Sequence, residues 1–106
     1  MSKYLVQANY VGEGIHGLLK EGGSGRREAV ERLFSSVGGK IEAFYYAFGK
    51  TDVFIIADLP DNVSAAALSL AVNASGAATT KVTVLLSAEE IDAAVKKHVS
   101  YRAPGK

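Results

Sequence analysis

Polar and apolar positions alternate from Lys3 to Tyr10 (KYLVQANY). That is the period of a strand, with Tyr4, Val6, Ala8 and Tyr10 on one side and Leu5, Gln7 and Asn9 on the other. Glycines then punctuate the chain (GEGIHGLLKEGGSG), with room for a short helical turn at about Ile15–Lys20. Ser24 is placed to cap a helix in which Val30, Leu33, Phe34 and Val37 recur at i, i+3, i+4 and i+7. Glu28 and Arg32 add an i,i+4 pair, and Gly38-Gly39 is the stop. Residues 40–48 (KIEAFYYAF) alternate again, Gly49-Lys50-Thr51-Asp52 makes a turn, and DVFIIADL returns as the partner strand of a hairpin. Pro60-Asp61-Asn62 breaks that pattern and opens a helix to about Ser75. This helix is alanine-rich and nearly apolar all round, so close packing on more than one side is expected. A fourth strand is predicted from about Ala78 to Leu86. Ser87-Ala88-Glu89-Glu90 then has the S-x-x-E form of a capping box before a short helix to Lys97, and the tail from about His98 reads as irregular.

The predicted order, βαββαβ with a short C-terminal helix, is that of an α+β ferredoxin-like sandwich, an antiparallel sheet with both main helices on one face. All 106 residues fit a single domain. The other face of such a sheet should be mostly polar. Strict alternation instead puts Glu42, Phe44, Tyr46 and Phe48 on one side of the second strand, and Phe54, Ile56 and Asp58 on one side of the third. A bare face bearing those aromatics exceeds the few hundred Å2 of apolar patch that monomers usually tolerate, about 300–600 Å2. A homodimer packed sheet to sheet is therefore expected, the alternative being that the terminal helix folds over the face. Between the two sheets the expected cavity is aromatic, with Gln7, Asn9, Tyr46 and Asp58 as polar handles for a small apolar ligand.

Composition narrows the partners. Twelve basic against 11 acidic side chains leave a net charge of +1, without the basic footprint of a nucleic-acid binder. Hydrophobic residues at 48% and charged residues at 22% exclude wholesale disorder. With no cysteine there is no disulfide framework, thiolate nucleophile or cysteine-ligated metal. The longest apolar region, Val63 to Val72, is too short to span a bilayer, and the first ten residues lack a continuous apolar core. These features give the expectation of a cytoplasmic protein that needs no cofactor and touches neither membrane nor nucleic acid.

Gly12-Glu13-Gly14-Ile15-His16-Gly17 matches G-x-G-x-x-G, but the strand that follows begins a hairpin rather than a parallel unit, which favours a loop over a dinucleotide fingerprint. Gly22-Gly23-Ser24-Gly25-Arg26-Arg27 places backbone N–H groups and two arginines at an expected helix start, a grip suited to a carboxylate or phosphate. The plainer reading pairs those arginines with Glu28 and Glu31. Glu13 and His16 have the i, i+3 spacing found in metal sites, yet one such pair is short of the three ligands a catalytic metal takes. No G-x-S-x-G is present, and Lys96, Lys97, Arg102 and Lys106 with Tyr101 read as a solvated basic end.

The segments KEGGSGRREAVE (20–31), GGKIEAFYYAFGKTDVFIIADLP (38–60), AVNASGA (71–77) and VSYRAPG (99–105) resemble the GYD-domain proteins, small bacterial proteins of ferredoxin-like fold related to the dimeric α/β-barrel group. Gly49 and Asp52 fit the Gly-Tyr-Asp motif that names the family, with Lys50 intervening and Thr51 where the motif has its tyrosine. The resemblance implies a dimeric α/β-barrel assembly, a homodimer or a higher multiple of it. The preferred reading is a small-molecule binding or sensing module for an aromatic or anionic ligand, with Asn9, Arg26, Arg27, Phe44, Tyr46 and Phe54 as ligand-binding residues. The alternative that the resemblance implies is a cofactor-independent monooxygenase or isomerase, with His16 or Asp52 as the acid–base residue and Tyr46 and Asn9 orienting substrate. Asp52 has a competing structural task at its turn, accepting backbone N–H bonds, and this favours binding.

Overall fold

In the computed structural model, which describes residues 1–106, the alternating segments pair into one four-stranded antiparallel sheet. The elements are β1 (Ser2–Tyr10), α1 (Gly14–Ser35), β2 (Lys40–Tyr46), β3 (Val53–Leu59), α2 (Asn62–Ala74), β4 (Ala78–Leu85) and α3 (Ala88–Val95). The spatial order β2-β3-β1-β4 is that of a ferredoxin-like sheet. Strand register fixes what is buried. Tyr4 faces Ala57, Val6 faces Ile55 and Ala8 faces Val53 across β1 and β3, while Val6 also faces Val82 of β4. These side chains lie on one side, where Phe34 of α1 and Ala65 and Leu68 of α2 close the core over them. The phenol of buried Tyr4 donates to Asn62 Oδ1 at 2.5 Å, so its polar end does not go unmatched. Asp61 caps α2 by accepting from the Ser64 N–H at 2.8 Å, and that bond holds its carboxyl below the usual aspartate range.

Strict alternation fails in β2. The pairing with β3 slips between Ile41 and Ala43, so Ile41 faces Ala57 but Ala43 faces Ile56 and Phe44 faces Ile55. The extra residue of this bulge reverses the sides of everything after it. Phe44 and Tyr46 therefore pack with the helix-covered core, and the expectation that they share the open face with Phe54 and Ile56 is corrected. The open face carries Leu5, Ala43, Tyr45, Phe54 and Ile56 at its centre. Lys3 bridges Glu42 at 2.6 Å and Asp58 at 3.2 Å at one end of it.

The helices follow their sequence reading in part. α1 is two helical segments joined at Gly22, whose φ of 77° is a left-handed conformation that glycine takes without steric cost. The glycine break expected between a short helix and a second one near Ser24 is therefore present; the first segment starts at Gly14 and exceeds the turn expected at Ile15–Lys20. A Cβ on Gly14 would stand 1.9 Å from the carbonyl oxygen of Ala77, so this glycine of the G-x-G-x-x-G run serves a close backbone approach to the α2–β4 connection. Only Ala65 and Leu68 of α2 are buried; Val63 and Leu70 point outward and exposed, so the packing expected on several sides is not made within one chain. α3 has the full capping box, Ser87 accepting from Glu90 N–H and Glu90 from Ser87 N–H, yet every residue of it is exposed. The terminal helix therefore does not bury itself on the open face. The radius of gyration, 17.0 Å, exceeds the roughly 13 Å of a compact chain this long because the C-terminal arm stands away from the body.

Candidate functional site

The helix-covered side of the sheet is not filled completely. Val30, Leu33 and Phe34 of α1 and Leu68 and Val72 of α2 arch over β1, β3 and β4 and leave a cavity of about 90 Å3. Fifteen of its 18 lining residues are hydrophobic, the exceptions being Arg26, Ser69 and Thr80. Tyr10, Arg26, Leu33, Val72 and Ala78 are shared with a wider cleft of about 440 Å3 between the start of α1 and the end of α2. An apolar interior with a few polar groups at its rim is the usual composition of a small-ligand site.

The rim is set by local structure. Beyond the Gly22 kink, the second half of α1 crosses the end of β2, where the Tyr46 hydroxyl donates to the Gly23 carbonyl at 2.9 Å. Burial first, and then the neighbouring Tyr10 hydroxyl, raise the Tyr46 pKa above 10.0, and the opposing pull of Arg26 and Arg27 is smaller. Tyr46 is flanked by Phe44, edge-on at 5.2 Å, and Phe48, stacked at 5.8 Å. Phe48 sits at a φ of 54°, an uncommon conformation for a bulky residue. Arg26 Nη1 lies 3.5 Å from Glu21 Oε2, the one ion pair at the cavity.

The residues singled out from sequence are divided by the sheet. Arg26 and Phe44 line the cavity and Tyr46 stands beside its rim, whereas Asn9 and Phe54 belong to the opposite, open face. Gln7 and Asp58 are on that open face too, so the polar handles expected to surround one pocket with Tyr46 do not meet. Arg27 is exposed and lies 3.8 Å from Glu31. His16 is exposed on the first turns of α1 and lines neither the cavity nor the cleft. Nor does any cluster of three or more metal-ligating side chains form around Glu13 and His16. Asp52 is engaged by backbone: its carboxylate accepts from Tyr10 N–H at 2.9 Å, and its own N–H donates to Asn9 Oδ1 at 2.9 Å. This geometry gives Asp52 and Asn9 a joint task, tying the β2–β3 turn to the end of β1.

A family model for the GYD domain matches residues 4–95. The chain belongs to the GYD-domain family. No curated protein and no solved structure matches it. In this GYD-domain chain Asp52 is the turn anchor just described, and Thr51 beside it accepts from Gln7 Nε2 at 3.2 Å. This turn thus faces away from the cavity. Sequence reasoning passed over Tyr10 and Glu21, which the structure places at the rim. Tyr10 was within reach, since its alternation with Tyr4, Val6 and Ala8 puts it on the covered side. Glu21 carried no signal, because only the kink at Gly22 brings it back toward Arg26.

No helix is long and apolar enough to cross a membrane.

Proposed function

We propose that this GYD-domain protein is a small-molecule binding module that works as a homodimer, its ligand held within each subunit between the helices and the sheet. The observation that carries the reading is the apolar cavity with Arg26, Tyr10 and Tyr46 gathered at its rim. A packing flaw would have no reason to collect a cation and two phenols at one mouth. The dimer is supported by two surfaces that one chain leaves uncovered. Leu5, Phe54 and Ile56 form the centre of the open face, and Ile91 at 46% and Val95 at 78% exposure face solvent from α3. The cavity sits on the far side of the sheet from that interface, so assembly and binding are separable.

Two measurements test the two halves. Native mass spectrometry is expected to give a dimer carrying a small extra mass, and a bare monomer would overturn the assembly. Titration with isoamyl alcohol, a neutral apolar probe, is expected to shift the methyl resonances of Val30, Leu33 and Leu68, and unmoved methyls would remove the binding site.

A further inference from the structure

From inside to outside, the walls of the cavity and its cleft run apolar, cationic and then anionic. Arg26 is the one charged side chain on the cavity wall. Its contact with Glu21 is 3.5 Å long, whereas a charge-assisted bond usually closes to about 2.7–2.9 Å, so most of its donor fork is free. Glu13 and Glu21 line the cleft beyond it, and Glu13 has no ion pair. The end of α2 opens on the same space through Ser75 and Gly76. Its last turn holds no basic side chain, so the negative end of its dipole is unopposed there. A purely anionic ligand would use Arg26 but would meet both glutamates. A ligand with an ammonium beside its carboxylate answers all three.

We infer that the ligand is an α-amino acid with a short aliphatic side chain. Its side chain enters the cavity, its carboxylate takes the free donors of Arg26, and its ammonium faces Glu21 and Glu13. This rests on the reading of the cavity as a small-molecule site. Size narrows the class: a cavity of about 150 Å3 holds a benzene ring, and one of about 90 Å3 therefore suits a branched aliphatic group better than an aromatic one. Charge balance agrees, since a zwitterion replaces one long ion pair with two and leaves both Arg26 and Glu21 with a counter-charge.

The test uses the full chain and four probes followed by nuclear magnetic resonance titration. Leucine carries both charged groups, isocaproate lacks the ammonium, isoamylamine lacks the carboxylate, and isoamyl alcohol lacks both. Each charged contact is a hydrogen bond to an ion, so leucine is expected to bind about tenfold or more tighter than each of the others. Arg26→Gln and Glu21→Gln are each expected to weaken leucine by about tenfold, a larger loss than either causes for isoamyl alcohol. Isocaproate or isoamylamine binding as tightly as leucine would overturn the inference. Isoamyl alcohol binding where leucine does not would overturn it too, while the cavity reading survives. Failure of all four would remove both. The probe series needs no variant, so a substitution that unfolds the chain does not blunt it.

Discussion

The two faces of the sheet are built by the same four strands, yet they differ in how completely one chain satisfies them. On the covered face Tyr4, Ala57 and Leu59 retain 1% exposure or less. On the other, Leu5, Phe54 and Ile56 are half-buried with no helix over them. The apolar residues are of similar kind, so composition does not distinguish the faces. What does is the position of α1 and α2, which lay Phe34, Ala65 and Leu68 against one side only. A covered face stabilises the subunit; an uncovered apolar face stores its contribution for an assembly. The cavity belongs to the first face and the proposed dimer to the second.

The sharpest way to break this comparison is to remove a comparable side chain from each face. Leu59 is fully buried, and Leu59→Ala is expected to cost about 2–5 kcal/mol in urea unfolding. Ile56→Ala, measured at concentrations low enough to keep the subunit alone, is expected to cost roughly 1 kcal/mol, because only part of its surface leaves water in one chain. Equal losses would mean that the open face contributes to the subunit as fully as the covered one. Ile56→Asp turns the question to assembly. It is expected to weaken the proposed dimer by about tenfold or more in sedimentation equilibrium, with an unchanged circular dichroism spectrum, since it would bury a carboxylate between apolar surfaces. An unaffected dimer would place the interface elsewhere, the exposed Val63 and Leu70 of α2 being the next surface to alter.

Strand alternation made much of this legible. The period of β1 and β3 assigns their residues to the correct faces, and the capping box of α3 is readable in Ser87 and Glu90 alone. The order of elements suffices for the ferredoxin-like topology. The bulge in β2 was not legible, because a run of alternating aromatics looks the same whether or not one residue is skipped. That single slip moved Phe44 and Tyr46 across the sheet and with them the candidate site. The break within α1, by contrast, is legible. Gly22-Gly23 reads as a break between a short helix and a longer one, and the backbone leaves helical geometry at Gly22. Arg26 is visible as a cation; its place on the cavity wall is not, because it depends on how the second segment of α1 lies over the sheet.

Asp52 offers a smaller effect at the point where the faces are fixed. Its carboxylate holds Tyr10 N–H and its N–H meets Asn9 Oδ1, so one residue of the turn engages neighbours directed to opposite sides. Asp52→Ala removes the acceptor for Tyr10 and is expected to cost about 1–3 kcal/mol, the range for leaving a partly buried N–H unmatched. The measurement is again urea unfolding, joined to a titration with isoamyl alcohol. Lower stability with intact binding fits an anchor outside the cavity. A stability unchanged from the parent, with binding lost, would instead put Asp52 in the site.

The finest test asks whether the bulge has placed Tyr46 where the register says. On the covered side its hydroxyl donates to the Gly23 carbonyl, and burial together with Tyr10 raises its pKa above 10.0. The sign of the linkage follows. Below pH 10.0 the phenol is neutral in both folded and unfolded chains, and it adds no pH dependence. As pH rises past that value the unfolded chain loses the proton first, so the folded state loses stability until its own raised pKa is passed. Ultraviolet titration of tyrosinate should therefore show a late-ionising component that disappears in Tyr46→Phe. Thermal unfolding above pH 10.0 should fall less steeply in that variant than in the parent. A Tyr46 that ionised with a free phenol, or a variant as alkali-sensitive as the parent, would return the ring to the open face. The distinction between a cavity beneath the helices and an aromatic pocket between subunits would then be reversed, since both Phe44 and Tyr46 owe their side to the same slip in register.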